Sequence, residues 1–171
     1  LLAGGSGADL LNGGDGFDTA TYTDATAAVT LDLITPGTNR GEAAGDVLIG
    51  IEALIGTGFA DSLAGDTLAN RLEGGAGNDT LMGRAGADSL FGGAGFDISS
   101  YANALAGVIV DMTSPTANRG EALGDALSGI EGLIGSALAD DLRGDSAANL
   151  LDGGAGNDIL TGRDGDDTLW G

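Results

Sequence analysis

The chain has 171 residues, with 34 Gly, 26 acidic and 6 basic residues, and a formal net charge of −20. It contains neither Cys nor His, which excludes a disulfide framework, a zinc finger, and Ser-His-Asp or Cys-His catalysis within the chain. A charge of this sign repels phosphate backbones and so argues against a nucleic-acid partner. Hydrophobic residues make up 42% and aromatics 4%. The chain can therefore bury aliphatic side chains, provided that something relieves the self-repulsion.

Residues 1–18 read as the end of a first repeat block. Gly4-Gly5-Ser6-Gly7-Ala8-Asp9 and Gly13-Gly14-Asp15-Gly16-Phe17-Asp18 are two copies of one pattern, nine residues apart. Residues 19–51 form a connector in which Val29-Thr30-Leu31-Asp32-Leu33 alternates like a strand that Pro36 ends. Residues 52–97 form a second block, with Glu52, Asp61, Asn70, Asp79, Asp88 and Asp97 in steps of nine. Residues 98–130 are a second connector, with Val108-Ile109-Val110-Asp111-Met112 ahead of Pro115. Residues 131–171 are a third block, with Glu131, Asp140, Asn149, Asp158 and Asp167. Shifting the chain by 79 residues superposes 18–92 on 97–171 with 42 identities in 75 positions, so the block and its 34-residue connector are duplicated. The chain starts and stops in mid-repeat and is expected to be an excerpt of a longer protein.

Within a nonapeptide the Gly-rich half reads as a turn and the next three residues as a strand. Side chains of a strand alternate faces, so only the middle residue points inward. That position is Leu in Leu11, Leu54, Leu63, Leu72, Leu81, Leu90, Leu133, Leu142, Leu151, Leu160 and Leu169. A flexible Gly-rich linker needs no such phase. Two nonapeptides make a coil of 18 residues, and stacked coils pair their strands in parallel. The expected fold is all-β, a parallel β-roll or β-helix solenoid interrupted by two irregular 34-residue connectors. Each connector is expected to add a wider coil to the same stack.

Stacking places Asp61, Asp79 and Asp97 on one side of the roll, with Glu52, Asn70 and Asp88 on the other. Unscreened carboxylates at that spacing disfavour their own ionisation. A hard divalent cation between turns removes the cost. An all-oxygen set of carboxylates and Gly carbonyls in a flexible cage suits calcium better than magnesium, and no N or S ligand favours a transition metal.

Gly-Gly-x-Gly-x-Asp-x-Leu-x resembles the repeats-in-toxin (RTX, haemolysin-type) calcium-binding nonapeptide. The resemblance covers the nonapeptide blocks. It implies a right-handed roll, folding driven by several Ca2+ ions, and type I secretion from a bacterium to the extracellular space or cell surface. It further implies carboxylate ligands from Asp9, Asp18, Asp79, Asp97 and Asp158, joined by carbonyls of Gly5, Gly7, Gly14, Gly16, Gly75, Gly77, Gly93, Gly95, Gly154 and Gly156. Asp88 and Asp167 fit with Arg84 and Arg163 in the second Gly position. Asp61 and Asp140 keep the carboxylate but lose most of the Gly. Asn70, Asn149, Glu52 and Glu131 are expected to form metal-free turns held by side-chain hydrogen bonds.

The remaining polar residues of the connectors read as structural. Asp32 and Asp111 are expected to face solvent, and Arg40–Glu42 and Arg119–Glu121 to form surface ion pairs. Tyr22 and Tyr101 should cover the roll where the phase breaks, while Phe91 and Trp170 should face outward. No acid stands out from the repeat, so no enzyme is expected. The leading reading is a calcium-binding structural module of a large secreted or surface protein. Its partners are calcium and, beyond that, a cell-surface polysaccharide or neighbouring copies of the same chain. No run is long and apolar enough for a membrane span. The alternatives are the repeat region of a secreted enzyme, or an ice- or surface-binding adhesin segment, although the Thr residues keep no single phase.

Overall fold

The computed structural model describes residues 1–171 and holds seventeen short strands, four 3₁₀ turns and no α-helix. Residues 1–51 contribute β1 (Leu10–Asn12), β2 (Thr19–Thr21), β3 (Thr30–Asp32) and β4 (Val47–Ile49). Residues 52–97 contribute β5 (Ala53–Ile55), β6 (Ser62–Ala64), β7 (Arg71–Ala76), β8 (Thr80–Met82) and β9 (Ser89–Ala94). Residues 98–130 contribute β10 (Ile98–Ser100), β11 (Ile109–Asp111) and β12 (Ala126–Ser128). Residues 131–171 contribute β13 (Gly132–Ile134), β14 (Asp141–Arg143), β15 (Leu150–Asp152), β16 (Ile159–Thr161) and β17 (Thr168–Trp170).

Strands pair in parallel, with Leu opposite Leu one coil away. Leu54 pairs with Leu72 and Leu72 with Leu90 on one face. Leu63 pairs with Leu81 on the other. Eighteen residues therefore make one coil, and the chain is a parallel β-roll. The inward Leu residues at 54, 63, 72, 81, 90, 133, 142 and 151 are fully buried. One Leu per nine residues suffices because the interior is only as wide as two facing side chains. No helix is long and apolar enough to cross a membrane.

The connectors do more than widen the stack. One sheet runs β2-β5-β7-β9-β12 and a second runs β3-β6-β8-β10-β13-β15-β17. A third runs β11-β14-β16, and β1 pairs with β4. Each connector thus closes one sheet, continues one and opens another. In the first, β4 closes the sheet of β1, β5 continues on β2, and β3 opens the sheet that β6 extends. In the second, β12, β13 and β11 do the same for β9, β10 and β14. The expected single continuing stack holds on one face only. The reason lies in the connector's apolar residues. Tyr22, Ala25, Val29, Leu31, Ala43, Leu48 and Ile51 are all buried and need more interior than one coil offers. The core is accordingly split into groups of fifteen and eight buried residues, bridged by Met112 and Leu127.

Pro36 and Pro115 start 3₁₀ turns, Pro36–Thr38 and Pro115–Ala117, where proline's missing N–H costs no ladder bond.

Candidate metal centre

Each Asp or Asn repeat turn begins with a glycine because the side chain five residues later folds back over it. A Cβ at Gly74 would lie 2.2 Å from Asp79 Oδ2, and one at Gly83 2.3 Å from Asp88 Oδ2. Gly65 meets Asn70 Oδ1 in the same way, so this glycine is a packing requirement in acid and amide turns alike. The carboxylate then bonds along the roll. Asp79 Oδ1 accepts from the Asp61 amide at 2.8 Å, and Asp97 Oδ1 from the Asp79 amide at 2.7 Å. On the opposite edge Asp88 Oδ1 accepts from the Asn70 amide at 2.7 Å. Asp158 and Asp167 serve the amides of Asp140 and Asn149, both at 2.9 Å. The two predicted sides of the roll are these two ladders.

The second oxygen separates the turns into classes. Oδ2 of Asp9, Asp79, Asp88, Asp97 and Asp158 is buried without any hydrogen-bond partner. Asp61 Oδ2 instead accepts from the Thr57 amide at 2.5 Å, and its Oδ1 from the Thr57 hydroxyl at 3.0 Å. Asp140 is engaged likewise by Ser136, at 2.6 Å from the amide. Asn70 accepts from the Asp66 amide at 2.7 Å and donates to Glu52 O; Asn149 does the same with Asp145 and Glu131. Glu52 and Glu131 accept from the amides of Asp18 and Asp97, at 2.8 and 2.9 Å. Asp18 and Asp167 are half-buried, each against the first glycine of its turn.

Main-chain oxygens of each turn lie close against the next turn. The ten glycines expected to offer carbonyls all have positive φ, from 76° to 146°. Successive turns lie so close that a Cβ at Gly93 would sit 2.0 Å from Gly75 O, and one at Gly75 2.2 Å from Thr57 O. Only a residue without Cβ permits that approach. No group of three or more acidic side chains gathers at one point. A cation held here would take one carboxylate per turn and complete its shell from backbone carbonyls.

An unpartnered buried carboxylate oxygen is costly. Burial pushes the Asp88 carboxyl up to about 7 and the Asp79 carboxyl to about 6, with the Asp97 and Asp61 charges adding to the latter. Burial also raises Asp97. Five buried oxygens without donors, beside glycine carbonyls and no nitrogen or sulfur ligand, fit a hard oxygen-seeking cation such as calcium. Bound there, calcium would neutralise the carboxylates and bridge neighbouring turns.

Several connector residues play parts that their sequence does not announce. Asp46 and Asp125 finish ladders from outside the repeat: their Oδ1 atoms accept from the amides of Asp9 and Asp88. Their Oδ2 atoms accept from the hydroxyls of Tyr22 and Tyr101, at 2.7 and 2.9 Å. The tyrosines therefore cover the phase break and also satisfy a buried acid. The 79-residue shift superposes both pairs, which is the signal that could have found them. Asp32 and Asp111 do not face solvent but pair with Arg84 and Arg163. The expected Arg40–Glu42 and Arg119–Glu121 ion pairs do not form. Arg40 and Arg119 turn to the carbonyls of Gly37 and Thr116, while Glu42 and Glu121 accept from the amides of Thr26 and Leu105. The guanidinium of Arg71 lies 4.1 Å from the Phe91 ring centre, and Trp170 is exposed.

The sequence model of the RTX calcium-binding nonapeptide repeat, in four copies, matches residues 1–20, 64–98 and 134–171. No curated protein matches the chain.

Proposed function

The chain belongs to the RTX calcium-binding nonapeptide repeat family, and on that footing we propose that it is a calcium-folded structural module of a large bacterial protein. In this reading the chain is unfolded at low cytosolic calcium and exportable, then folds in the calcium-rich medium outside the cell. There it stabilises or displays a neighbouring part of a secreted or surface-associated protein. Folding would be driven by relief of charge: each Ca2+ offsets two carboxylates of a chain with net charge −20.

The observation that supports this most directly is the set of five buried, unpartnered Oδ2 atoms at Asp9, Asp79, Asp88, Asp97 and Asp158. We assign these five as the primary ligands, with Asp18 and Asp167 as further ones, together with the carbonyls of Gly5, Gly7, Gly14, Gly16, Gly75, Gly77, Gly93, Gly95, Gly154 and Gly156. At Asp61 and Asp140 an ion would have to displace the donors of Thr57 and Ser136, so those two turns rank last.

Circular dichroism tests the proposal. The chain in excess chelator should lack β structure, gain it on addition of calcium and lose it again when calcium is removed. A spectrum indifferent to both additions would overturn the reading.

A further inference from the structure

Two non-glycine residues in the chain have positive φ, Arg84 at 70° and Arg163 at 76°. Both stand at the second glycine position of a repeat turn, where the backbone suits glycine and strains any other residue. A strained backbone at a repeated position calls for a compensating contact, and both arginines make the same one. Arg84 lies two residues after β8. Its Nη1 donates to the carbonyl of Gly65, the residue after β6. Its Nη1 and Nη2 donate to Oδ1 and Oδ2 of Asp32, the last residue of β3, at 2.9 and 2.7 Å. Strands β8, β6 and β3 are consecutive in one sheet, so one side chain crosses three strands. Arg163 repeats this from the end of β16. It reaches the Gly144 carbonyl after β14, then Asp111 at the end of β11 at 3.0 and 2.6 Å.

The strands so held are special. β3 and β11 open their sheets, and each has only one strand beside it within the sheet. Their entering ends are also tied by acids whose oxygens are all engaged. The Val29 amide donates to Asp61 Oδ1 and the Val108 amide to Asp140 Oδ1, both at 2.7 Å. Neither end of either strand rests on an orphaned carboxylate. A bidentate guanidinium–carboxylate pair is a fixed cation with its own geometry and needs no free ion.

We propose that Arg84 and Arg163 are calcium-independent staples. They hold the opening strand of each new sheet, together with the turns that carry them, at calcium levels that release the turns without an arginine, so that the joints between blocks outlast the rest of the blocks. The inference rests on the calcium reading above.

Hydrogen exchange of the full chain, followed by mass spectrometry from saturating calcium down to excess chelator, tests it. In the wild type, residues 29–35 should keep their protection to a free calcium at least about threefold lower than residues 92–97. Arg84→Gly restores the residue that the backbone prefers and removes the staple. It should bring the loss of protection at 29–35 up to the calcium level of the turns, while leaving β11 unchanged. Arg163→Gly should do the reverse, and Asp32→Asn, which keeps the arginine, should resemble Arg84→Gly. Simultaneous loss of 29–35 and 92–97 in the wild type, or an Arg84→Gly chain with unchanged protection at 29–35, would overturn the staple while leaving the calcium reading intact. Protection that ignores calcium throughout the chain would overturn both.

Discussion

The amide of Asp79 donates to Oδ1 of Asp97, one coil further along the roll, at 2.7 Å, while Asp97 Oδ2 is buried with no donor. The two oxygens of one carboxylate are thus separable: the first ties coil to coil, and the second has no donor and is open to a cation. Asp97→Asn keeps an oxygen for the Asp79 amide and removes the charge. It should fold in the same register yet bind fewer calcium ions, with a higher calcium midpoint. Asp97→Ala should in addition lose about 1–3 kcal/mol, because the Asp79 amide loses its acceptor. Calcium counting after equilibrium dialysis, paired with calcium-dependent dichroism, checks both. An Asp97→Asn chain that retains every ion would contradict the assignment.

Gly74→Ala should act on the same machinery from the other side. Its Cβ would lie 2.2 Å from Asp79 Oδ2. The carboxylate would have to swing out of the turn, and overpacking of this kind costs about 1–3 kcal/mol. Gly37 has ordinary φ and no atom within 4 Å of a new Cβ. Gly37→Ala should therefore change stability by no more than about 0.5 kcal/mol. Thermal unfolding in saturating calcium compares the two; equal effects would remove the packing role assigned to the first glycine.

The nine-residue phase made the coil, the inward Leu and the two-sided placement of the acids legible, because each follows from strand alternation and an 18-residue repeat. The connectors were less legible. Their alternation announced β3 and β11 as strands, but not which strands would pair with them. Strand partners 32, 34 and 37 residues apart, as in Leu31–Leu63, Ala20–Leu54 and Leu11–Leu48, leave no local trace. Nor could local pattern show that Asp32 meets Arg84, 52 residues on. Within the turns, the missing glycines set Asp61 apart from Asp79 in sequence, but they did not show that its oxygens would be engaged. The difference is Thr57, whose amide and hydroxyl fill the oxygens that the acid would otherwise leave free.

Position along the roll should set the cost of emptying the core. Leu72 is fully buried between Leu54 and Leu90, whereas Leu169 is 45% exposed. Leu72→Ala should cost about 2–5 kcal/mol, the range for a buried Leu whose cavity cannot collapse. Leu169→Ala should cost well under that. Denaturant unfolding of the calcium-loaded chain gives both values. A Leu169→Ala variant as damaged as Leu72→Ala would show that the last coil is packed more tightly than its exposure indicates.

The dependence on pH should change sign with calcium. Burial lifts the carboxyls of Asp79 and Asp125 to about 6 and that of Asp88 to about 7, against about 3.9 for an unfolded Asp. Between those limits the calcium-free folded chain holds protons that the unfolded chain has released. Its stability therefore rises as pH falls from about 7 towards 4. In chelator, acidification from pH 7.5 to 5 should restore part of the β signal, protons standing in for the missing ions. In calcium the same protons compete for the same oxygens, so the calcium midpoint should rise over that window. Below about pH 4 the unfolded acids protonate too and the gain stops. The Asp111 carboxyl, held down to about 2 chiefly by the Arg163 guanidinium, then begins to lose its charge, and stability falls again between pH 4 and 2. Dichroism across this pH range, with chelator and with calcium, reads both branches. A chelated chain that only loses structure on acidification would contradict the buried-carboxylate origin of the switch.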